Sequence, residues 1–319
     1  MAVYTRVDSS DLEQLLAQYA IGELQGFHPI ASGITNTNYF VDTTLGRWVL
    51  TLFEDMTAKE LPFFMTVMDH LAAHGVPGAH PVARNDGEFL STVRGRPAAL
   101  VYCLQGRSVT QPNTAQCASL GGVVAAMHHA VASLSARQGN TRDLAWIRQT
   151  AQALTAKLDP ATHALLQEEI AQQTAYAASA DWQQLPRAVI HADIFRDNVL
   201  FDGDRVSGII DFYYACHDYQ LLDLAVICND WCFDTHTRFL PARWHAFIRA
   251  YNQQHTLTAT DQRAWPGMLR AAALRFWASR LYDYHFPMDG DVTHIHDPLP
   301  FEYLLRHHRN NPPPLLPTP

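Results

Sequence analysis

Apolar positions along the first hundred residues switch between two periods. Leu12, Leu15, Leu16 and Tyr19 recur at helical spacing behind Asp8-Ser9-Ser10-Asp11, whose side chains suit the free N–H groups of a helix start. Gly22 closes that segment. From Glu23 to Ser32 the chain reads as a strand running toward Gly33. Asn38 to Thr44 then alternates Tyr39, Val41 and Thr43 against Phe40 and Asp42. Gly46 turns it into Arg47–Phe53, so the pattern predicts a three-strand meander with Ser32–Asn38 as its first turn. Leu61, Phe64, Met65, Met68 and Leu71 mark an amphipathic helix ending near Gly75. A further strand pair folds about Asn85-Asp86-Gly87, and Ala98–Leu104 is the next apolar run before Gln105-Gly106-Arg107 breaks the pattern.

From Thr110 the composition turns helical. Gln116–Leu134 is rich in Ala, Val, Met and Leu, weakened locally by Gly121-Gly122. Asp159-Pro160 pairs a cap with a first-turn proline for a helix reaching about Ala178. Helices from Leu221 onward, around Ala242–Tyr251 and over Asp261–Tyr284 finish the fold, and Asn311 to the end favours extended, polyproline-like chain. Between them, Val189-Ile190 reads as a short strand feeding a loop. Val199–Phe201 and Val206–Phe212 then form a hairpin about Asp202-Gly203-Asp204. The predicted class is α+β and bilobal: a small antiparallel-sheet lobe over 1–104 and a larger, mainly helical lobe over 105–319, with Val101–Leu104 as connector. A cleft between two lobes is a usual place for a ligand. Strands do not alternate with crossover helices, which argues against a Rossmann unit.

A chain of 319 residues that is 48% apolar can bury a large core. Its formal charge of −8 argues against a nucleic-acid or anionic-membrane surface. No apolar run approaches membrane-spanning length and the first residues lack a signal-peptide core, so a cytoplasmic location is expected. Cys103, Cys117, Cys216, Cys228 and Cys232 contain no Cys-x-x-Cys pair and read as buried thiols. His128-His129, His294-x-His296 and His307-His308 are scattered without a carboxylate pattern, and read as surface or packing residues.

The polar skeleton of 191–211 carries the candidate chemistry: His191-x-Asp193, then Asn198 after four intervening residues, then Asp211 closing an apolar run. A hairpin over 199–212 brings Asn198 back beside Asp211. Oxygen donors there suit Mg²⁺, which keeps waters and substrate phosphates in its shell. Asp193 is left to act on a substrate proton, with His191 as a loop-organising hydrogen-bonder, and Asp202 and Asp204 are turn chemistry. In the kinase superfamily such an Asp is the base, while the Asn and the later Asp bind metal. The turn Ser32–Asn38, rich in small and amide residues, could cover nucleotide phosphates through backbone N–H groups. Of the three-glycine motif only Gly33 is present.

The stretch His191-Ala-Asp193-Ile-Phe-Arg-Asp-Asn198 with Ile209-Ile-Asp211-Phe resembles the signature of aminoglycoside phosphotransferase-like and choline-kinase-like small-molecule kinases. Gly33-Ile-Thr-Asn-Thr-Asn38, Val49-Leu-Thr-Leu-Phe-Glu54, Leu61-Pro-Phe-Phe64 and Leu274-Arg-Phe-Trp277-Ala-Ser-Arg280 are most similar to the homoserine kinases of that fold. The resemblance, over roughly 1–310, implies transfer of the ATP γ-phosphate to the hydroxyl of L-homoserine, on the route to threonine. It implies Asp193 as proton acceptor and Asn198 and Asp211 on Mg²⁺. Ser32, Gly33, Thr35, Asn36 and Asn38 would lie over the phosphates, with Val101, Cys103 and Leu104 presenting backbone to adenine. One departure stands out: kinases usually carry a Lys on the third strand, and Thr51 stands where it is expected. Arg47 or Lys59 could reach in instead, or be surface charges. Arg196 would touch the γ-phosphate or make a structural salt bridge. For the acceptor, Arg275 and Arg280 flank Trp277 on one helix and suit its carboxylate, unless they pair with acids such as Asp283. Asp218 and Asp223 are candidates for the ammonium, although Asp223, three residues into an apolar helix, reads first as a helix-start or loop-bracing group. The competing readings are a kinase of another hydroxyl acceptor, such as an amino alcohol, a sugar or hydroxylysine, and a nucleotide-binding pseudokinase prompted by Thr51.

Overall fold

A computed structural model describes residues 4–30, 36–287 and 296–317. They fall into two compact units, one running to Gln105 and the other starting at Gly106.

The first unit is built on five antiparallel strands: β1 Leu24–Pro29, β2 Thr37–Thr43, β3 Gly46–Leu52, β4 Leu90–Val93 and β5 Arg96–Tyr102. Their order across the sheet is β1-β2-β3-β5-β4. Helix α1 (Ser9–Leu16) starts at a reciprocal cap in which Asp8 and Asp11 each accept the other's backbone N–H. Helix α2 (Leu61–Ala73) connects β3 to the second half of the sheet. Alternation sends Tyr39, Val41, Leu50 and Leu52 to one face, where they meet Leu12, Leu15 and Leu16 of α1 in a single core. Each such burial contributes about 1.5–3 kcal/mol.

The second strand pair differs from the sequence expectation. A turn does form at 85–87, with Arg84 N–H donating to Glu88 O at 2.8 Å. Its upstream arm makes only a single bridge, Pro81 to Val101, since a proline has no N–H to offer a ladder. The hairpin proper joins β4 to β5 at Arg94-Gly95, with φ values of +51° and +76°. Both central residues of a type I′ turn need positive φ, and an arginine in the first place hides that signal.

The second unit is mainly helical: α3 Thr114–Ala130, α4 Leu144–Leu154, α5 Pro160–Ala177, α6 Ala180–Gln183, α7 Gln220–Trp231, α8 Pro241–Gln254, α9 Ala259–His285 and α10 Leu299–Asn310. Four short strands lie among them: β6 Arg187–Ile190, β7 Val199–Asp202, β8 Arg205–Ile209 and β9 Cys216–Tyr219. Helices α4 and α10 had no counterpart in the sequence reading. Each buries a narrow stripe, Ile147, Thr150, Ala151 and Leu154 in one and Phe301, Leu304, Leu305 and His308 in the other, in which polar residues interrupt the apolar pattern. Gly121, the weak point of α3, has a packing role: a Cβ there would fall 2.2 Å from the carbonyl oxygen of Phe247 on α8. The architecture is α+β, a small antiparallel-sheet unit followed by a larger helical one. All five cysteines are free thiols, Cys103 half-buried and the others buried. Among the described residues no helix is long and apolar enough to cross a membrane.

Candidate active site

The catalytic stretch follows from two strand pairings. Strand β6 runs antiparallel to β9, with Ile190 opposite Cys216, and delivers His191 into a loop. The β7–β8 hairpin then pairs Val199 with Ile209, and Ile210 N–H donates to the Asn198 carbonyl at 3.0 Å. Asn198 and Asp211 therefore share one end of the hairpin, as the sequence pattern predicts. Asn198 Nδ2 donates to the backbone oxygen of Asp193 at 2.9 Å and to its Oδ2 at 3.1 Å. A carbonyl only accepts, so this contact fixes the amide orientation and leaves Oδ1 as an oxygen donor for a metal. Ala192 and Asp211 both sit in the left-handed region at φ +64°. Two non-glycine residues in that conformation flank the chemistry, where strain of about 1–3 kcal/mol each must be held by surrounding bonds.

Those bonds come largely from α7. Asp223, fully buried, accepts from the backbone N–H groups of His191 at 3.0 Å and Ala192 at 2.6 Å. It also meets Nε2 of the buried His128 at 3.0 Å, whose Nδ1 lies 2.9 Å from the Tyr251 hydroxyl. Burial pushes the Asp223 carboxyl up, but the hydrogen bond and charge of His128 and the loop contacts outweigh it and hold it below its ordinary value. Seven residues along the same face, Asp230 accepts from Arg196 three times: from its backbone N–H at 2.8 Å, Nε at 3.0 Å and Nη2 at 3.1 Å. Trp231 Nε1 donates to the Ile194 carbonyl at 3.0 Å. His191 is buried and organises the loop as expected. Its Nδ1 accepts from Asp193 N–H at 3.2 Å, so Nε2 carries the proton and donates to Ile210 O at 3.0 Å. Burial lowers its pKa and keeps it neutral.

The electrostatics favour an incoming cation. Burial raises the Asp193 carboxyl to about 7; Arg275 opposes that rise, while Asp211 and Asp197 add to it. Burial, and then Asp197, raise Asp211 to about 6. Crowded carboxylates of this kind repel one another until a metal or positive charge joins them. Asn198 Oδ1 and Asp211 offer hard oxygen donors, which fits Mg²⁺ with phosphates and water completing its shell. Among the described residues no group of three or more His, Cys, Asp or Glu side chains forms a protein-only metal cage. Asp197, which the sequence reading passed over, joins this group through its charge.

Several candidate residues serve the loop instead of a ligand. Asp223 is sealed from solvent by the contacts above, which leaves no room for an ammonium. Arg196 forms the structural salt bridge with Asp230, and its Nη1 donates to Thr110 O at 2.7 Å. Arg275, only 5% exposed, donates to the Ala192 carbonyl at 2.7 Å and lies 3.7 Å from Asp193 Oδ1. Its guanidinium is stacked against Phe276 at 4.1 Å and Tyr214 at 5.3 Å. That position steadies the strained Ala192 peptide and the ionised form of Asp193, and takes Arg275 away from the acceptor carboxylate. Trp277 is fully buried, its Nε1 without a hydrogen-bond partner among the described residues. Arg280 is half-buried, donating to Asp297 O at 3.0 Å over the Phe301 ring at 4.5 Å. Asp218 is taken by Asn140 Nδ2 at 2.8 Å.

In the first unit, Ser32, Gly33 and Thr35 lie outside the described residues. Asn36 leads into β2, and Asn38 within it accepts from Thr51 Oγ1 at 2.8 Å. Thr51 is buried on β3, so the position expected for lysine holds a hydroxyl–amide pair. Arg47 is bound to Asp42 at 2.6 Å on the outside of the sheet, and Lys59 is exposed. Leu100 O and Tyr102 N–H bond to Val82 and His80, so the intervening Val101 turns its own N–H and C=O toward Val49. Its backbone N–H is thereby taken up by the sheet. Cys103 and Leu104 lie beyond the last strand pair, with no backbone–backbone hydrogen bond among the described residues.

Residues 26–264 match the phosphotransferase enzyme family. Over 96% of its length the chain is 49% identical to the homoserine kinase of Methylobacillus flagellatus and 44% identical to that of Janthinobacterium sp., covering 95% of each relative. The chain belongs to the homoserine kinases of this family. It is an ATP-dependent phosphotransferase. Amicoumacin kinase hAmiN, solved in complex with AMP-PNP, Ca²⁺ and Ami, shares the fold with a TM-score of 0.71 at 14% identity, over 98% of this chain and 96% of that one.

Proposed function

We propose that this homoserine kinase family member transfers the γ-phosphoryl group of ATP to the side-chain hydroxyl of L-homoserine, giving O-phospho-L-homoserine and ADP. What carries the reading is one end of the β7–β8 hairpin, where Asp193, Asn198 and Asp211 converge on a chain 49% identical to a homoserine kinase. The hydroxyl oxygen attacks the γ-phosphorus, the bond from phosphorus to the β,γ-bridging oxygen breaks, ADP leaves, and the hydroxyl proton passes to Asp193. Asn198 and Asp211 would hold Mg²⁺, which would neutralise phosphate charge. The phosphoryl group passes through a loose transition state, so the protein's work is alignment and charge. Positioning of this order is worth several kcal/mol of barrier.

In this reading residues 1–104 are the nucleotide-binding lobe and 105–319 carry the catalytic loop and acceptor site. Ser32, Gly33, Thr35, Asn36 and Asn38 cover the phosphates, and Cys103 and Leu104 meet adenine. The location is cytoplasmic. An assay coupled to ADP release tests the acceptor: kcat/KM for L-homoserine exceeds that for choline, hydroxylysine or a sugar by about 100-fold or more, the discrimination a polar site achieves when mismatched groups are left unpaired. Turnover of choline or a sugar above that of homoserine refutes the acceptor assignment. ATP binding with no turnover of any acceptor refutes catalysis altogether.

A further inference from the structure

An α-amino acid acceptor brings a carboxylate and an ammonium to the catalytic Asp, and its recognition rests on the homoserine reading above. Arg275 and Arg196 are spent on the loop, and Arg280 is held by Asp297 O and Phe301. Arg142 differs from all three. It stands one residue before Asp143, the cap of α4, in a loop clipped to the strand that follows the catalytic hairpin. His217 N–H on β9 donates to Gln138 O at 2.7 Å, Asn140 Nδ2 donates to Asp218 at 2.8 Å, and Asn140 Oδ1 accepts Arg142 N–H at 2.8 Å.

This built loop lays the Arg142 guanidinium over the Trp146 ring, 4.5 Å from its centroid, and 6.0 Å from that of Tyr214. The same Tyr214 ring lies 5.3 Å from Arg275, whose Nη1 is 3.7 Å from Asp193 Oδ1. A half-buried arginine thus shares one aromatic ring, Tyr214, with the arginine beside the catalytic Asp193. Among the described residues its side chain makes no ion pair and donates no hydrogen bond. A guanidinium held by its faces keeps its edge donors for a bidentate carboxylate.

Asp283 lies on α9 seven residues beyond Phe276, hence on the face that carries the Arg275 stack. It is exposed and within ion-pair distance of no described cation. Desolvation raises its carboxyl, and the two charges opposing that rise are Arg142 and Arg280. We propose that Arg142 receives the carboxylate of the amino-acid acceptor and that Asp283 receives its ammonium.

The test compares wild type, Arg142→Met, Arg142→Lys, Arg280→Met and Asp283→Asn on three alcohols: L-homoserine, 3-aminopropan-1-ol, which lacks the carboxylate, and 4-hydroxybutanoate, which lacks the ammonium. Arg142→Met lowers kcat/KM for homoserine about 100-fold, mainly through KM, and that for 3-aminopropan-1-ol less than about threefold, with KM for ATP held. Arg142→Lys recovers part of the loss, since the charge returns without the fork. Asp283→Asn loses on homoserine and not on 4-hydroxybutanoate. Equal losses on all three alcohols, or the carboxylate-selective loss appearing in Arg280→Met in place of Arg142→Met, overturn the proposal while wild-type homoserine turnover stands. A wild-type enzyme inactive on homoserine overturns the reading of the reaction, and the clamp with it.

Discussion

The catalytic loop of the second unit and the β2–β3 region of the first handle polar groups in opposite ways. In the loop, two left-handed residues and three neighbouring carboxylates are kept in place by Asp223, Asp230, Trp231 and Arg275, none of which is a candidate for the proton or the metal. In the sheet, Asn38 and Thr51 satisfy each other directly, and Arg47 turns outward to Asp42. Groups that must meet a reacting hydroxyl at a set distance require outside bracing. Strand residues can rely on the ladder itself, with the main-chain groups of Cys103 and Leu104 lying beyond the last pair.

The contrast can be broken most directly at Asp193. Asp193→Asn lowers kcat by about 10³-fold, within the range general-base catalysis supplies, while ATP affinity measured by calorimetry changes by less than about threefold. Near-full turnover in that variant removes the base assignment. Asp223→Asn tests the brace: kcat falls about 100-fold with both KM values nearly held, because a loop shifted by about 1 Å costs that much. If both KM values climb and kcat is kept, Asp223 belongs to a binding site after all.

A third measurement reads stability. Burial and the neighbouring Asp197 push the Asp211 carboxyl up to about 6 in the folded protein, against an ordinary value of 3.8. The folded state therefore holds its proton more tightly, and stability declines as pH climbs from about 4 to about 6 and levels off above that. In Mg²⁺-free buffer at pH 7, Asp211→Asn raises Tm by a few degrees, and the gain vanishes near pH 4, although the variant forfeits Mg-ATP use. A lowered Tm at pH 7 contradicts the charge crowding. The smallest effect is expected at Thr51, where Thr51→Lys restores the usual strand lysine. The side chain enters a buried site and breaks the bond to Asn38, so Tm drops by about 4 °C or more with no gain in ATP affinity. Tighter ATP binding in that variant shows that the sheet needs a cation it lacks.

Asp193, Asn198 and Asp211 were legible because they lie within one short stretch whose spacing and Asp-Gly turn dictate a hairpin. The groups that hold them are about 30 to 80 residues away, and nothing local marks Asp230 on α7 or Arg275 on α9 as partners of that loop. Thr51 was visible as a departure, yet its bond to Asn38 needed the β2–β3 register. Arg275 and Arg196 invited assignment to a ligand because arginines in such a motif look available until their partners are known. Arg142 escaped notice for the opposite reason: a lone arginine before a short, weakly patterned helix carries no signal until Trp146 and Tyr214 are seen around it.

Helix α7 grips the loop at Asp223 and again at Asp230, two turns apart on one face. Each residue of an α-helix advances its neighbours by about 100°. A single extra residue inserted between those two aspartates would rotate one anchor out of phase with the other, disabling the enzyme from a buried helix that never meets a substrate. The chain should therefore tolerate length changes in its surface loops far better than in these twelve residues.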